Sequence, residues 1–288
     1  MSQKVLLWVA AVLALLAVGA GGVYWWQSLA PPPTPVAQAP AAVPAAPALT
    51  MPSAAASLPE RAAPSILHPI GPDVAASAAA PKPLPGPDQA DAYVADALSD
   101  LLGRKPVLTF LSTDRFAARL VATVDNLDRP LAAARLWPVN PSPGRFQTTP
   151  TADAVLVGAD NAKRYAPFVQ FVASIDGNRA VALYRRLYPL FQSAYEELGY
   201  PGKYFNDRLV QVIDHLLQTP EPAGPLKVRL TEVKGPIASA TPWLRYEFDD
   251  PALEARSAGQ KILLRLGPAH SRQLKAKLTE VRALITQR

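Results

Sequence analysis

Residues 5–26 read VLLWVAAVLALLAVGAGGVYWW, a run without charge or proline, and no other stretch limits the fate of the chain so strongly. As a helix it would span roughly 33 Å at about 1.5 Å per residue, enough for a hydrocarbon core about 30 Å thick. Tyr24, Trp25 and Trp26 close the run, and amphipathic rings favour the headgroup zone. Lys4 and the amino terminus precede it, so the positive-inside rule places residues 1–4 in the cytoplasm and the rest of the chain beyond the membrane. A cleaved leader is the rival reading, because Val18, Gly19 and Ala20 offer small residues before a cut after Ala20. The apolar run continues past that point to the aromatic cluster, which favours an uncleaved anchor. It is also apolar on every face, unlike a core helix of a small domain. The expectation is a single-pass protein of a bacterial inner membrane, with its C-terminal domain in the periplasm.

Residues 27–88 form a Pro/Ala-rich tract with almost no aromatics. Proline removes backbone donors and biases its neighbours toward extended conformations, so a disordered linker without a packed core is expected. The reading adopted is a passive spacer, with a proline-rich ligand for an aromatic groove as the minority alternative. His68 falls in this tract and is expected to be solvated.

The remaining residues, 89–288, carry the folded domain. Residues 91–288 hold 26 basic and 20 acidic side chains, the whole of the +6 net charge. A chain of that length buries about 70% of its unfolded surface and needs no metal or disulfide to be stable. The absence of cysteine excludes a disulfide scaffold, thiolate zinc sites and thiol catalysis.

Periodicity predicts a mainly α domain with a small β component of one or two hairpins. Asp88 or Asp91 is the expected cap of a helix bearing Tyr93, Ala97, Leu98, Leu101 and Leu102 and ended by Gly103. Ser112 or Thr113 is expected to open a second helix through Phe116, Leu120, Val121 and Val124. Residues 130–144 hold four prolines and read as an irregular connection. Two short strands are expected at Phe146 and at 154–157, then a helix capped by Asp160 or Asn161. Over 178–198, Leu183, Leu187, Leu190, Ala194 and Leu198 form an apolar stripe that Pro189 is expected to kink or divide. Asn206 is the expected cap of a helix over 207–218. Alternation of Leu226, Val228 and Leu230, and of Leu244, Tyr246 and Phe248, suggests a hairpin. Gly259 and Gly267 separate short helical pieces, and Leu274, Leu278, Val281 and Ile285 line the last helix.

The segments ATVDNL (122–127), NAKRYAPF (161–168), LYRRLYPLFQSAYEELGYP (183–201), FNDRLVQVIDHLLQTPE (205–221) and YEFDDPALEARSAGQKILLRLGP (246–268) resemble a proteobacterial family of membrane-anchored proteins. That family is catalogued only as a domain of unknown function. The similarity covers residues 91–285. It implies an N-terminal transmembrane helix and a Pro-rich tether before the domain, and it implies no activity, cofactor or site residue.

The domain offers few catalytic constellations. His215 and His270 lie far apart and form no HExxH or i, i+4 pair, so no metal and no cofactor is expected. Asp214 and His215 are adjacent and diverge by about 100° on a helix, which makes an acid–base couple a poor reading. No nucleophile elbow or phosphate loop is present. Gly259, Gln260 and Lys261 at a helix start could bind an anion, though a plain turn is the better reading. The most informative pattern is charge set among apolar residues: Asp125 with Asn126, Arg185 with Arg186, Glu196 with Glu197, Asp207 with Arg208, and Lys261 with Arg265. Tyr184, Tyr188 and Tyr195 share a helical face beside them. From this set Asp125, Asn126, Tyr184, Arg185, Tyr188, Glu196, Asp207, Arg208, Lys261 and Arg265 are the candidate binding residues. Buried charges must be paired, so such a network either fixes helix registry or lines a cleft. The expected partners are the cytoplasmic membrane, through residues 5–26, and a periplasmic protein or anionic envelope polymer; nucleic acid is not expected. The function expected is an envelope scaffold or adaptor, with a carboxylate-dependent, membrane-tethered hydrolase as the alternative.

Overall fold

The computed structural model describes residues 65–70, 84–231 and 246–287. The expected anchor at 5–26, the cytoplasmic residues 1–4 and most of the tract 27–88 lie outside them. Among the described residues no helix is long and apolar enough to cross a membrane.

Nine α-helices are described: α1 (Pro87–Leu102), α2 (Arg104–Phe110), α3 (Phe116–Leu127), α4 (Asp160–Ser174), α5 (Gly177–Glu197), α6 (Phe205–Leu217), α7 (Pro251–Glu254), α8 (Ala258–Arg265) and α9 (Pro268–Thr286). With them goes one antiparallel sheet of four strands in the order β1 (Thr148–Pro150), β2 (Val155–Val157), β3 (Lys227–Leu230) and β4 (Tyr246–Phe248). The chain is mainly helical with a small sheet, as the periodicity implied. The two expected strand pairs join into one meander because Val155 of β2 pairs with Val228 of β3, and Val228 pairs with Phe248 of β4. Val228 and Phe248 are buried together with Leu264 of α8, which closes the sheet onto the helices.

The main core lies where α5 packs on α3, with Phe116, Val121 and Val124 facing Leu187, Tyr188, Phe191 and Tyr195. A second cluster joins Val181 of α5, Val210 and Ile213 of α6, and Ile285 of α9. The buried face of α5 therefore runs Val181, Leu187, Tyr188, Phe191 and Tyr195 at helical spacing. Leu198, the last member of the expected stripe, is 43% exposed beyond the helix end. Pro189 does not divide α5: the helix runs through it from Gly177 to Glu197, fixed at its start by the Asp176 carboxylate, which accepts the Arg179 N–H at 2.8 Å. Packing on both sides of the proline outweighs the hydrogen bond it removes.

Several helix starts differ from expectation. Helix α1 begins at Pro87 after Gly86, with Pro in its first turn as its fixed φ favours. Asp91, an expected cap, instead accepts the N–H of Arg115 at 2.9 Å. That bond sits at the start of α3, where Arg115 itself takes the left-handed φ of 46° and displaces Ser112 and Thr113 from the capping role. Asn161 lies inside the first turn of α4, 1% exposed, and both donates to and accepts from the backbone of Gln147. Asn206 is likewise inside α6, and Tyr204 precedes it at the cap position.

Gly259 allows three helix ends to touch. A side chain at Gly259 would meet Leu216 Cδ2 at 2.4 Å and the Leu127 carbonyl oxygen at 2.9 Å, so α8 starts directly against the ends of α3 and α6. Its first turn is satisfied internally, since Ser257 Oγ accepts the Gln260 N–H at 3.3 Å and bonds His215 Nε2 at 2.9 Å. Gly259-Gln260-Lys261 is thus a packing joint, and Lys261 pairs with Glu254 at 2.8 Å.

Candidate functional site

The end of α3 and the start of α6 hold two acidic and two basic side chains that the fold brings together. Asp125 is 3% exposed, and a carboxylate so buried must be compensated. Arg208 Nε donates to its Oδ1 at 3.0 Å, and Arg208 Nη2 donates to its backbone oxygen at 2.8 Å. The two terminal nitrogens of Arg208 grip both oxygens of Asp128 at 2.7 Å each. On the other side, Arg129 Nη2 donates to Asp125 Oδ2 and to the Tyr200 hydroxyl, both at 2.6 Å. Tyr200 in turn donates to Asp125 Oδ2 at 3.1 Å. Burial pulls the Arg208 guanidinium down, but the bonds and charges of Asp128 and Asp125 outweigh it and leave the group above its ordinary value. Charge-assisted, bidentate bonds of this kind hold helix ends in register.

One turn away, Tyr204, Asn206 and Asp207 at the start of α6 hold the segment 65–70 as a strap. Asp207 accepts the N–H of Leu67 on Oδ2 at 3.0 Å and the N–H of His68 on Oδ1 at 2.7 Å. Asn206 Nδ2 donates to the His68 carbonyl at 2.8 Å, and the Tyr204 hydroxyl accepts the Ile70 N–H at 2.8 Å. Pro69 has no N–H, so every backbone donor from Leu67 to Ile70 is taken. These bonds go to main-chain atoms and make few demands on the strap's side chains. Ile70 packs against the main core, while Ile66 and Leu67 remain 54% and 63% exposed. His68, expected to be solvated, is half-buried and bonded through both its N–H and its carbonyl.

Asn206 is 0% exposed and holds this arrangement from beneath. Its second amide hydrogen reaches the Ile285 carbonyl at 3.2 Å, its side-chain oxygen accepts Tyr184 Oη at 3.1 Å, and its N–H reaches Tyr188 Oη at 3.2 Å. Tyr188 donates to Gln192 Oε1 at 3.0 Å, and Gln192 Nε2 donates to Glu196 Oε1 at 2.8 Å. Burial pushes the Tyr184 and Tyr188 hydroxyls far above their ordinary range.

Between the ion pairs and the strap opens a cleft of about 600 Å³, lined by Leu67, Asp125, Arg129, Tyr195, Tyr200, Lys203, Tyr204, Asp207, Arg208 and Gln211. Tyr195 and Tyr200 stack with ring centroids 4.7 Å apart, and Lys203 Nζ lies 5.1 Å from the Tyr200 ring. Of the ten candidates, Asp125, Asp207 and Arg208 line this cleft, and Tyr184, Tyr188 and Glu196 belong to the network that supports it. The others lie elsewhere. Asn126 donates to the Ala122 carbonyl of its own helix, and Arg185 reaches the Leu284 carbonyl at 3.1 Å. Lys261 and Arg265 stand against β4 and α7. Sequence reasoning missed Asp128, Arg129, Tyr200, Tyr204, Gln192 and the strap; of these only the i, i+4 spacing of Asp125 and Arg129 offered a signal. Asp214 binds Arg282 rather than acting with His215. Among the described residues no group of His, Asp and Glu side chains could hold a metal ion.

Residues 116–282 match the family described as a protein of unknown function, DUF3014. The chain belongs to that family, whose matched region takes in the helices from α3 to α8, most of α9 and the whole sheet. No curated protein and no solved structure matches it.

Proposed function

We propose that this chain is a single-pass inner-membrane protein, anchored by residues 5–26, whose periplasmic domain binds a protein partner as an envelope adaptor. The reading of the anchor, compartment and proteobacterial origin rests on the apolar run, its flanking charge and the family resemblance. The binding role rests on the cleft beside the strap. Its lining combines three tyrosines with exposed Leu67, the mixture of aromatic and aliphatic surface that protein interfaces favour.

The pairing of the cleft's carboxylates supports binding over hydrolysis. Asp125 is shared by two guanidiniums and a phenol, and Asp207 is occupied by two backbone N–H groups. A general base needs a carboxylate free to take a substrate proton, and here every carboxylate oxygen already holds at least one structural hydrogen bond. Tethering to a membrane raises local concentration, so a modest contact at the cleft is sufficient for association.

Site-specific photocrosslinking in cells tests the reading. A photoreactive residue at Gln211 or Lys203 should yield one dominant protein adduct, and the same probe at exposed Asp153, in the turn between β1 and β2, should not. The same diffuse labelling from all three positions rejects the proposal.

A further inference from the structure

A second pocket, of about 300 Å³, is set among the irregular connection before β1, helix α4, strand β4 and the end of α8. Its walls are the rings of Trp137, Phe146, Tyr165 and Tyr246, and its charges are guanidiniums, among them Arg164 and Arg265. Among the described residues no aspartate or glutamate lines it. Phe146 and Tyr246 pack with centroids 5.7 Å apart, which makes one continuous aromatic wall.

The two guanidiniums are positioned by neutral oxygens and bear no ion pair among the described residues. Arg164 Nε donates to the Pro143 carbonyl at 2.7 Å, Nη2 to the Ser142 carbonyl at 3.2 Å, and Nη1 to the Tyr165 hydroxyl at 2.8 Å. Arg265 Nη2 donates to the Tyr246 carbonyl at 2.8 Å and stacks over Phe248 at 5.1 Å. Glu254, the nearby carboxylate, is engaged by Lys261 at 2.8 Å and by the Phe248 N–H at 2.8 Å. Burial accordingly holds the Arg265 guanidinium below its ordinary value, and Glu254 and Tyr165 restore only part of the loss. A further mark of incompleteness is the Trp137 indole N–H, which is buried without a hydrogen-bond partner.

Arg164 and Arg265, kept in place by carbonyls, without a carboxylate partner among the described residues and walled by flat rings, make a receptor for an anion carried on a flat body. The volume suits a small ligand, at the lower end of the range for such sites. We infer that this pocket binds a ring-bearing organic phosphate or carboxylate, its anionic group between Arg164 and Arg265 and its ring against the aromatic wall. The site shares no lining residue with the strap cleft, so it stands or falls independently of the adaptor reading.

The test is calorimetric titration of the full chain in detergent micelles with phenyl phosphate, inorganic phosphate and phenol. Phenyl phosphate should saturate and bind at least about tenfold more tightly than either fragment, because it alone offers both the charge and the ring. Arg164→Gln and Arg265→Gln should each weaken it about tenfold or more. If Arg265→Gln lowers the helical circular dichroism signal, Arg164→Gln alone decides, since its side chain is half-exposed. Phenyl phosphate binding no tighter than inorganic phosphate, or equal binding by Arg164→Gln and the unaltered chain, overturns the inference.

Discussion

Arg208 and Asp128 meet fork to fork, 80 residues apart in the chain, through two bonds of 2.7 Å each. The same guanidinium serves buried Asp125, so one side chain on α6 satisfies two carboxylates at the end of α3. Arg208→Ala should therefore cost about 3–5 kcal/mol, because it strands a buried charge that Arg129 compensates only in part. Arg208→Lys should fall between, since an ammonium cannot reproduce the fork. Urea unfolding monitored by circular dichroism measures both.

The strap gives a local outcome. Asp207→Ala removes the acceptor of two backbone N–H groups, each charge-assisted bond being worth about 1.5–3 kcal/mol. The amides of Leu67 and His68 should then exchange with deuterium about tenfold faster or more, while those in the middle of α5 keep their protection. Hydrogen-exchange mass spectrometry resolves the two regions.

Acid should weaken the contact between α7 and α8. Burial pushes Glu254 up, but the Lys261 bond, the Phe248 N–H and the charges of Lys261 and Arg265 outweigh it and hold the carboxyl below its ordinary 4.5. A carboxyl depressed in the folded state contributes stability that is present above 4.5 and lost as pH falls through the lower folded value. Glu254→Gln should flatten the fall in melting temperature below about pH 4.5.

Alkali acts through the buried phenols with the opposite sign. Burial raises Tyr184 and Tyr188 above their ordinary 10.0, so their contribution is fully present below that pH. It declines as pH climbs beyond it, because the unfolded chain ionises first. Tyr184→Phe should reduce the slope of stability against pH above about 10, read from denaturant midpoints.

Two glycine replacements should differ. At Gly259 a methyl meets a backbone oxygen at 2.9 Å and Leu216 at 2.4 Å, whereas at Gly177 the closest group is the movable carboxylate of Glu280. Gly259→Ala should cost about 1–3 kcal/mol and Gly177→Ala measurably less, in the same unfolding assay.

The helical elements were legible because apolar residues recur at a period of 3.6, and α5, α6 and α9 lie where that period placed them. What failed was local chemistry decided by distant partners. Asn206 looks like a cap, yet it is consumed by Tyr184, His68 and Ile285. Asp91 looks like a cap and serves the turn at Arg115, 24 residues on. The joining of two hairpins into one sheet depends on Val155 meeting Val228, a pairing no local alternation encodes. Of the candidate site, the charged pairs were visible as polar residues in apolar surroundings, but their grouping into a cleft and a distant pocket was not. The strap left no trace at all, because Asp207, Asn206 and Tyr204 read its backbone and a backbone carries no pattern of residue types.

That clasp at 65–70 also fixes where load enters the domain. A pull on the chain from its amino-terminal side meets the strap before it reaches α1. The force passes first into α6 through the bonds of Leu67, His68 and Ile70, which share it in parallel. Helix α1 comes under tension only after the clasp has sheared, so the strap is the mechanical fuse of the domain.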